Sequence, residues 1–173
     1  MDKEKQVRSY YEALKLKIGQ SYQGGIIAYI LKSGDPGYVA GQTHGLIAAT
    51  SDQSTGIQWY NGSYISTGAT GTAIGTGMAN TNIIIAAQGI SSYAASICKA
   101  YNGGGYSDWH LPSKDELNKL FLKKNKIGGF SNNYYWSSTE DGNGLAWYQY
   151  FYNGYQYYSN KYTTYFVRAV RAF

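Results

Sequence analysis

Three features of the 173-residue sequence predict an α+β fold. Apolar residues recur at helical spacing in two stretches, a third stretch opens on a helix cap, and short β-rich runs bounded by turn residues lie on either side of them.

Val7, Tyr10, Tyr11 and Leu14 fall at i, i+3, i+4 and i+7 and predict an amphipathic helix from about Asp2 to Lys15, in a segment (1–17) set apart from the main domain (18–173). Its apolar face would pack on the domain body; its other use would be contact with a partner or a second copy of the chain in a homo-oligomer. "GGIIAYIL" and "HGLIAAT" then read as two strands joined by a loop at Ser33 to Gly45. "GSYISTGATGTAIGTG" carries too many Gly, Ser and Thr for regular structure. Asn80 is expected to cap a helical turn or two at Thr81 to Gln88, and Ile90, Tyr93, Ala94, Ile97, Cys98 and Tyr101 form an apolar helical stripe.

Cys98 on that stripe reads as a small buried hydrophobe rather than a nucleophile. In "SKDELNKLFLKK", Ser113 and Glu116 form a capping box, the sequence signature of a helix start. After it come a short strand at "YWSST", an alternating strand at "AWYQYFY" and a final strand, "YFVRAVRAF", apolar on both faces apart from Arg168 and Arg171. Trp109, Trp136, Trp147, Phe151 and Val167 are the expected core anchors.

Composition narrows the function. The net charge is +5, but the basic residues are dispersed, which reads as solubility rather than nucleic-acid binding. One cysteine excludes an intrachain disulfide and a cysteine metal cluster. No apolar run is long enough for membrane insertion. The opening residues lack the apolar core of a signal peptide, so the expectation is cytoplasmic synthesis, with export by another route or assembly into a phage particle or cell-surface structure.

The segment from Ala146 to Phe166 holds eight tyrosines in 21 residues, mixed with Gly, Asn, Ser and Thr. Buried tyrosine needs a partner for its hydroxyl, whereas recognition surfaces favour this mixture, because tyrosine offers a large contact area with few rotatable bonds.

"GYSDWHLPSKDEL", "YWSSTE", "AWYQYF" and "VRAVRAF", in that order, closely resemble the Lcl C-terminal domain family, a branch of the C-type lectin fold, from about Ile18 to Phe173. The resemblance implies a twisted, mostly antiparallel sheet with two main helices and long irregular loops used for recognition. It is closest to members that act as variable proteins of diversity-generating retroelements, in which adenine miscopying turns AAY codons near the end of the gene into codons for many residues. Ala146, Trp147, Tyr148, Gln149, Phe151, Gly154, Gln156 and Lys161 match that pattern's fixed landmarks. The resemblance implies ligand binding, to a protein or a glycan, by a variable region at about 141–164: Asp141, Asn143, Leu145, Tyr148, Tyr150, Tyr152, Asn153, Tyr155, Tyr157, Tyr158, Ser159, Asn160, Tyr162 and Thr163. Changes at the first two bases of AAY reach Tyr, Ser, Thr, Asp, Gly and Leu but never Gln, Lys or Trp, and the residues between the landmarks are all reachable. The expected arrangement has Tyr150, Tyr152, Tyr155, Tyr157, Tyr158 and Tyr162 exposed on one face.

Competing chemistries lack their residues. Calcium-type lectins use Glu-Pro-Asn or Gln-Pro-Asp with Trp-Asn-Asp, and the two prolines here stand in "DPG" and "LPS", so no metal or other cofactor is expected. A formylglycine-generating enzyme, which shares the fold, needs reactive cysteines. His44 and His110 have no nucleophile or carboxylate at a telling spacing and read as packing or surface residues, so no catalytic residue is assigned. The remaining alternative is a structural, self-assembling surface or tail subunit that uses the tyrosines as an interface.

Overall fold

The computed structural model describes residues 3–7 and 15–173. Residues 3–7 are helical, while Tyr10, Tyr11 and Leu14 of the expected amphipathic face lie outside the described residues. The elements that follow are β1 (Ser21–Tyr22), β2 (Gly25–Ile30), β3 (Gly45–Ala48), β4 (Ser54–Ile57), α1 (Gly77–Gln88), α2 (Ala94–Ala100), α3 (Lys114–Ile127), β5 (Tyr134–Glu140), β6 (Leu145–Tyr150), β7 (Gln156–Asn160), β8 (Tyr165–Val167) and β9 (Val170–Ala172). One sheet has the order β1-β2-β3-β9 and the other β4-β8-β5-β6-β7. Among the described residues, only the β5–β8 pair is parallel. The architecture is α+β and C-type lectin-like, with the antiparallel sheet divided in two.

Two apolar clusters hold the layers together. Ile47, Trp59, Trp109, Trp136 and Val167 pack with α1 and α2, and Leu117, Leu120, Tyr135, Phe151 and Val170 pack beneath α3. The capping box forms as expected, with Ser113 accepting from the Glu116 N–H and Glu116 accepting from the Ser113 N–H.

Four sequence expectations are corrected. The last segment is not one strand: β8 belongs to one sheet and β9 to the other, with the break at Arg168 and Ala169. Arg168 causes the break, because its buried guanidinium pairs with Asp52 at 2.6 Å, donates to the Ala49 carbonyl and lies over the Phe130 ring, contacts a straight ladder would not allow. The first long helix starts at Gly77, behind Thr76, so Asn80 is not its cap. Gly77 leaves room for the Glu116 carboxylate, and the Asn80 side chain instead bonds both the N–H and the C=O of Gly71. Ile90 is on no helix: Gly89, at φ 75°, ends α1 and leaves Ile90 90% exposed. Trp147 is half-buried rather than core. It shares the α3-facing side of β6 with Gln149 and Phe151, but α3 only begins at Lys114, whose ammonium sits 3.5 Å from the Trp147 ring centroid, so a charged head rather than the helix's apolar stripe covers it.

The irregular loop before α1 is the fold's main structural demand, since its backbone polar groups have no ladder to join. Two buried carboxylates answer it. Glu140, at the end of β5, accepts from the N–H groups of Thr67 and Gly68, and Glu116 accepts from the Gly75 N–H. Lys161, fully buried in the turn after β7, neutralises Glu140 at 2.6 Å and donates to the Ile65 carbonyl at 3.0 Å. Burial alone would raise the Glu140 pKa; the Lys161 ammonium and the two amides outweigh it and hold the carboxyl below its ordinary 4.5.

Because the native pKa of Glu140 is lowered, the pair's contribution is complete above the ordinary value and drains away as pH falls through the native one. Urea unfolding at a series of pH values should therefore show stability falling below about pH 4.5, with a shallower fall in Glu140→Gln. Lys161→Ala strands the carboxylate and should cost about 3–5 kcal/mol at neutral pH; a loss under about 1 kcal/mol would contradict this role. Trp136→Ala should likewise cost about 3–5 kcal/mol, and Trp147→Ala clearly less, in the same assay.

Candidate functional site

In an antiparallel strand, alternate side chains face opposite sides of the sheet, and the register of β5, β6 and β7 sorts their aromatic residues accordingly. Tyr134 pairs with Tyr150, and Tyr148 with Tyr157, so these four share the side facing away from α3. Tyr155 joins them through the Tyr155 carbonyl, which accepts from the Tyr150 N–H at 2.8 Å. Tyr165 arrives from β8, on the far side of β5, and its hydroxyl donates to Ser159 at 3.2 Å.

The rings form a platform of two contacting groups set side by side by the Tyr148–Tyr157 pairing. Tyr134 and Tyr150 stack with centroids 4.3 Å apart, Tyr165 lies 5.2 Å from Tyr134 and 5.1 Å from Tyr148, and Tyr155 stacks on Tyr157 at 5.8 Å. Tyr152, in the β6–β7 turn, extends it beside Tyr150. Offset and edge contacts of this kind hold rings in place without burying them. Tyr152, Tyr155 and Tyr157 are exposed, while Tyr134, Tyr148, Tyr150 and Tyr165 are half-buried, with Tyr148 and Tyr165 packed down onto Trp136. Burial raises the Tyr148 hydroxyl's pKa, with the neighbouring hydroxyls of Tyr165, Tyr134, Tyr155 and Tyr157 adding to it.

The opposite side of the hairpin does scaffold work. Gln149, fully buried, donates to Asn118 of α3 and to the Gly154 carbonyl, and Gln156 donates to the Lys114 carbonyl. Gly154 adopts φ +84°, and a side chain there would collide with Phe121. Phe151 packs edge-on against the same ring.

The expected single face is therefore only partly formed. Tyr158 points to the α3 side, against Trp147, and reaches Tyr157 only around the free edge of β7, where the rings stack at 4.3 Å and the Tyr157 hydroxyl donates to that of Tyr158. Tyr162 is exposed in the β7–β8 turn, away from the stacked group. Asp141 and Asn143 are exposed in the β5–β6 turn, and Leu145 is half-buried at the start of β6. Asn153 caps the hairpin by accepting from the Tyr155 N–H, Asn160 is exposed at the end of β7, and Thr163 is half-buried beside Ser159. Tyr134 and Tyr165 belong to the platform although sequence reasoning omitted them; strand pairing brings them in, and no local motif signals it.

Other sites offer less. Among the described residues, no group of three or more His, Cys, Asp or Glu is placed to hold a metal ion. Cys98 is buried, and burial pushes its thiol pKa up, away from the reactive thiolate. His110 does acquire a carboxylate partner that sequence spacing hid: its Nε2 is 3.5 Å from Glu116, in a spot closed to solvent. An apolar cavity of about 240 Å³ beside His44, lined by Leu31, Leu46, Ile74 and Phe173, is smaller than typical ligand pockets of roughly 300–1,000 Å³. No helix among the described residues is long and apolar enough to cross a membrane.

A search of curated proteins gives no match. The family model of the Lcl C-terminal domain matches residues 48–171, a span running from the end of β3 through the tyrosine platform to β9, and the chain belongs to that family.

Proposed function

We propose that this protein is a non-catalytic, receptor- or adhesin-type binder whose tyrosine platform is its recognition surface, and whose exposed positions between 141 and 164 are varied by a diversity-generating retroelement. One observation carries the reading. None of the candidate variable positions is buried, whereas the intervening landmarks Ala146, Gln149, Phe151 and Lys161 all are, and Gly154 and Gln156 are committed to contacts with α3. A surface can then change residue by residue while the groups that define the hairpin stay constant. Half-buried Trp147 and Tyr148 are the exceptions among the landmarks, Tyr148 being a platform member as well.

A second reading has its own support. β7 ends its sheet, so the outward backbone groups of Gln156 and Tyr158 are unpaired by any strand and could join another copy in an assembled subunit. Sedimentation distinguishes the two: a receptor stays monomeric, and an assembly subunit associates through the β7 edge and the tyrosines beside it.

The test of the binding reading is a paired measurement on Tyr152→Ser/Tyr155→Ser/Tyr157→Ser. Exposed positions usually shift stability by less than about 0.5 kcal/mol each, so urea unfolding should change little. Affinity for a protein ligand selected against the wild-type chain should fall by about thirtyfold or more, since central interface aromatics are commonly worth about 2 kcal/mol each. A variant that unfolds would make the tyrosines structural, and one that folds and binds unchanged would place the site elsewhere. In flanking DNA, a near-copy of the 141–164 coding segment differing only at adenines, beside a reverse-transcriptase gene, is the expected genetic signature.

A further inference from the structure

Several aromatic rings of this protein are paired with cations, and none of those rings is on the platform. Among the described residues, cation–aromatic contacts fall on Tyr29, Trp59, Tyr106, Phe121, Phe130 and Trp147, and none falls on a platform tyrosine. The charged residues of the hairpin region explain why. Between positions 141 and 164 the sequence holds only Asp141 and Lys161, and Lys161 is fully buried against Glu140. The exposed charge of the region is thus a single carboxylate, close enough to the β7 edge to act on the Tyr158 hydroxyl. Around the Tyr148 hydroxyl stand the hydroxyls of Tyr165, Tyr134, Tyr155 and Tyr157.

Such a surface has a definite preference. Ring faces carry negative quadrupole potential, and tyrosine hydroxyls accept hydrogen bonds, so the platform is electron-rich with no built-in counter-charge. An anionic ligand would lose its water and meet no cation. A guanidinium would meet flat rings to stack on and oxygen acceptors for its N–H groups, and being weakly hydrated it gives up water readily. The same molecule uses this contact internally, with Arg168 over Phe130 at 4.1 Å and Arg171 over Tyr106 at 3.9 Å. From β8 to β7 the platform spans three strand spacings, about 14 Å, enough for more than one such group.

We infer that the tyrosine platform of this chain takes an arginine-bearing polypeptide segment, whose guanidinium groups pack on the rings of Tyr150, Tyr155 and Tyr157. The inference rests on the binding reading above and adds the ligand's chemistry to it. The protein's net charge of +5 repels cationic peptides at long range, so their capture requires a local site of this kind.

The test uses isothermal titration of the full chain with the peptide Gly-Arg-Gly-Arg-Gly and with the same peptide carrying citrulline, a neutral near-isostere, in place of arginine. The arginine peptide should bind at least tenfold more tightly than the citrulline one, and should keep that margin at about 0.5 M salt, where simple attraction to Asp141 is screened. Tyr155→Phe/Tyr157→Phe, which keeps the rings, should retain most of the margin, and Tyr150→Ser/Tyr155→Ser/Tyr157→Ser should abolish it, with folding of each variant checked by urea unfolding. If the serine variant fails to fold, Tyr155→Ser/Tyr157→Ser replaces it, with the same loss expected. Equal binding of the two peptides, or a margin that survives serine replacement, overturns the inference. If a ligand selected against the wild-type chain loses binding to the serine variant while the two peptides bind alike, only the arginine assignment falls; if that ligand is also indifferent to the variant, the platform itself is not the binding face.

Discussion

The ion pair between Glu140 and Lys161 is the contact on which the arrangement of this protein most depends. It lies where three irregular pieces meet: the end of β5, the turn after β7 and the loop at 65–69. Each piece would otherwise bury unpaired polar groups, at a cost of several kcal/mol for the charges alone. Two neutralised charges and the amides and carbonyl they bind replace the ladder that a regular strand would have supplied. The lysine also sits 4.6 Å from the Trp59 ring, which ties the pair to the larger apolar cluster.

With that corner secured, the sheet carries scaffold contacts on one side and the tyrosine platform on the other. The α3 side of the β6–β7 hairpin is fixed by Gln149, Phe151, Gly154 and Gln156, each of which contacts the helix or its ends, and the turn is fixed by Lys161. The other side needs only that its rings be accommodated by their neighbours. The scaffold contacts and the tyrosine platform thus lie on opposite faces of the same strands, which is what alternation in a β-ladder makes available.

The sequence reveals those parts of the fold that are encoded locally. The capping box at Ser113 and Glu116, the alternation in "AWYQYFY", the burial of Cys98 and the irregularity of the Gly, Ser and Thr loop are all written in neighbouring residues. What it hides is set by long-range partners. Arg168 splits the last strand because of Asp52 and Ala49, which are distant in sequence; Gly77 can start a helix because Glu116 fills the space beside it; Trp147 loses its place in the core because α3 begins one turn too late to cover it. At the site, the exposed tyrosines were legible from composition and landmarks, but the sorting of Tyr158 to the other face and the recruitment of Tyr134 and Tyr165 depend on register and strand order.

The central claim is that fixed and changeable positions are separated by burial, and a saturation library across positions 141–164, sorted for resistance to proteolysis, tests it most directly. Resistance tracks the population of the open state, so it reads folding without reference to any ligand. The account predicts broad tolerance at Asn143, Tyr152, Asn153, Tyr155, Tyr157 and Tyr162, and near-intolerance at Gln149, Phe151, Gly154 and Lys161. Free substitution at Gln149 and Lys161, or a strict requirement for tyrosine at Tyr152, Tyr155 and Tyr157, would contradict it.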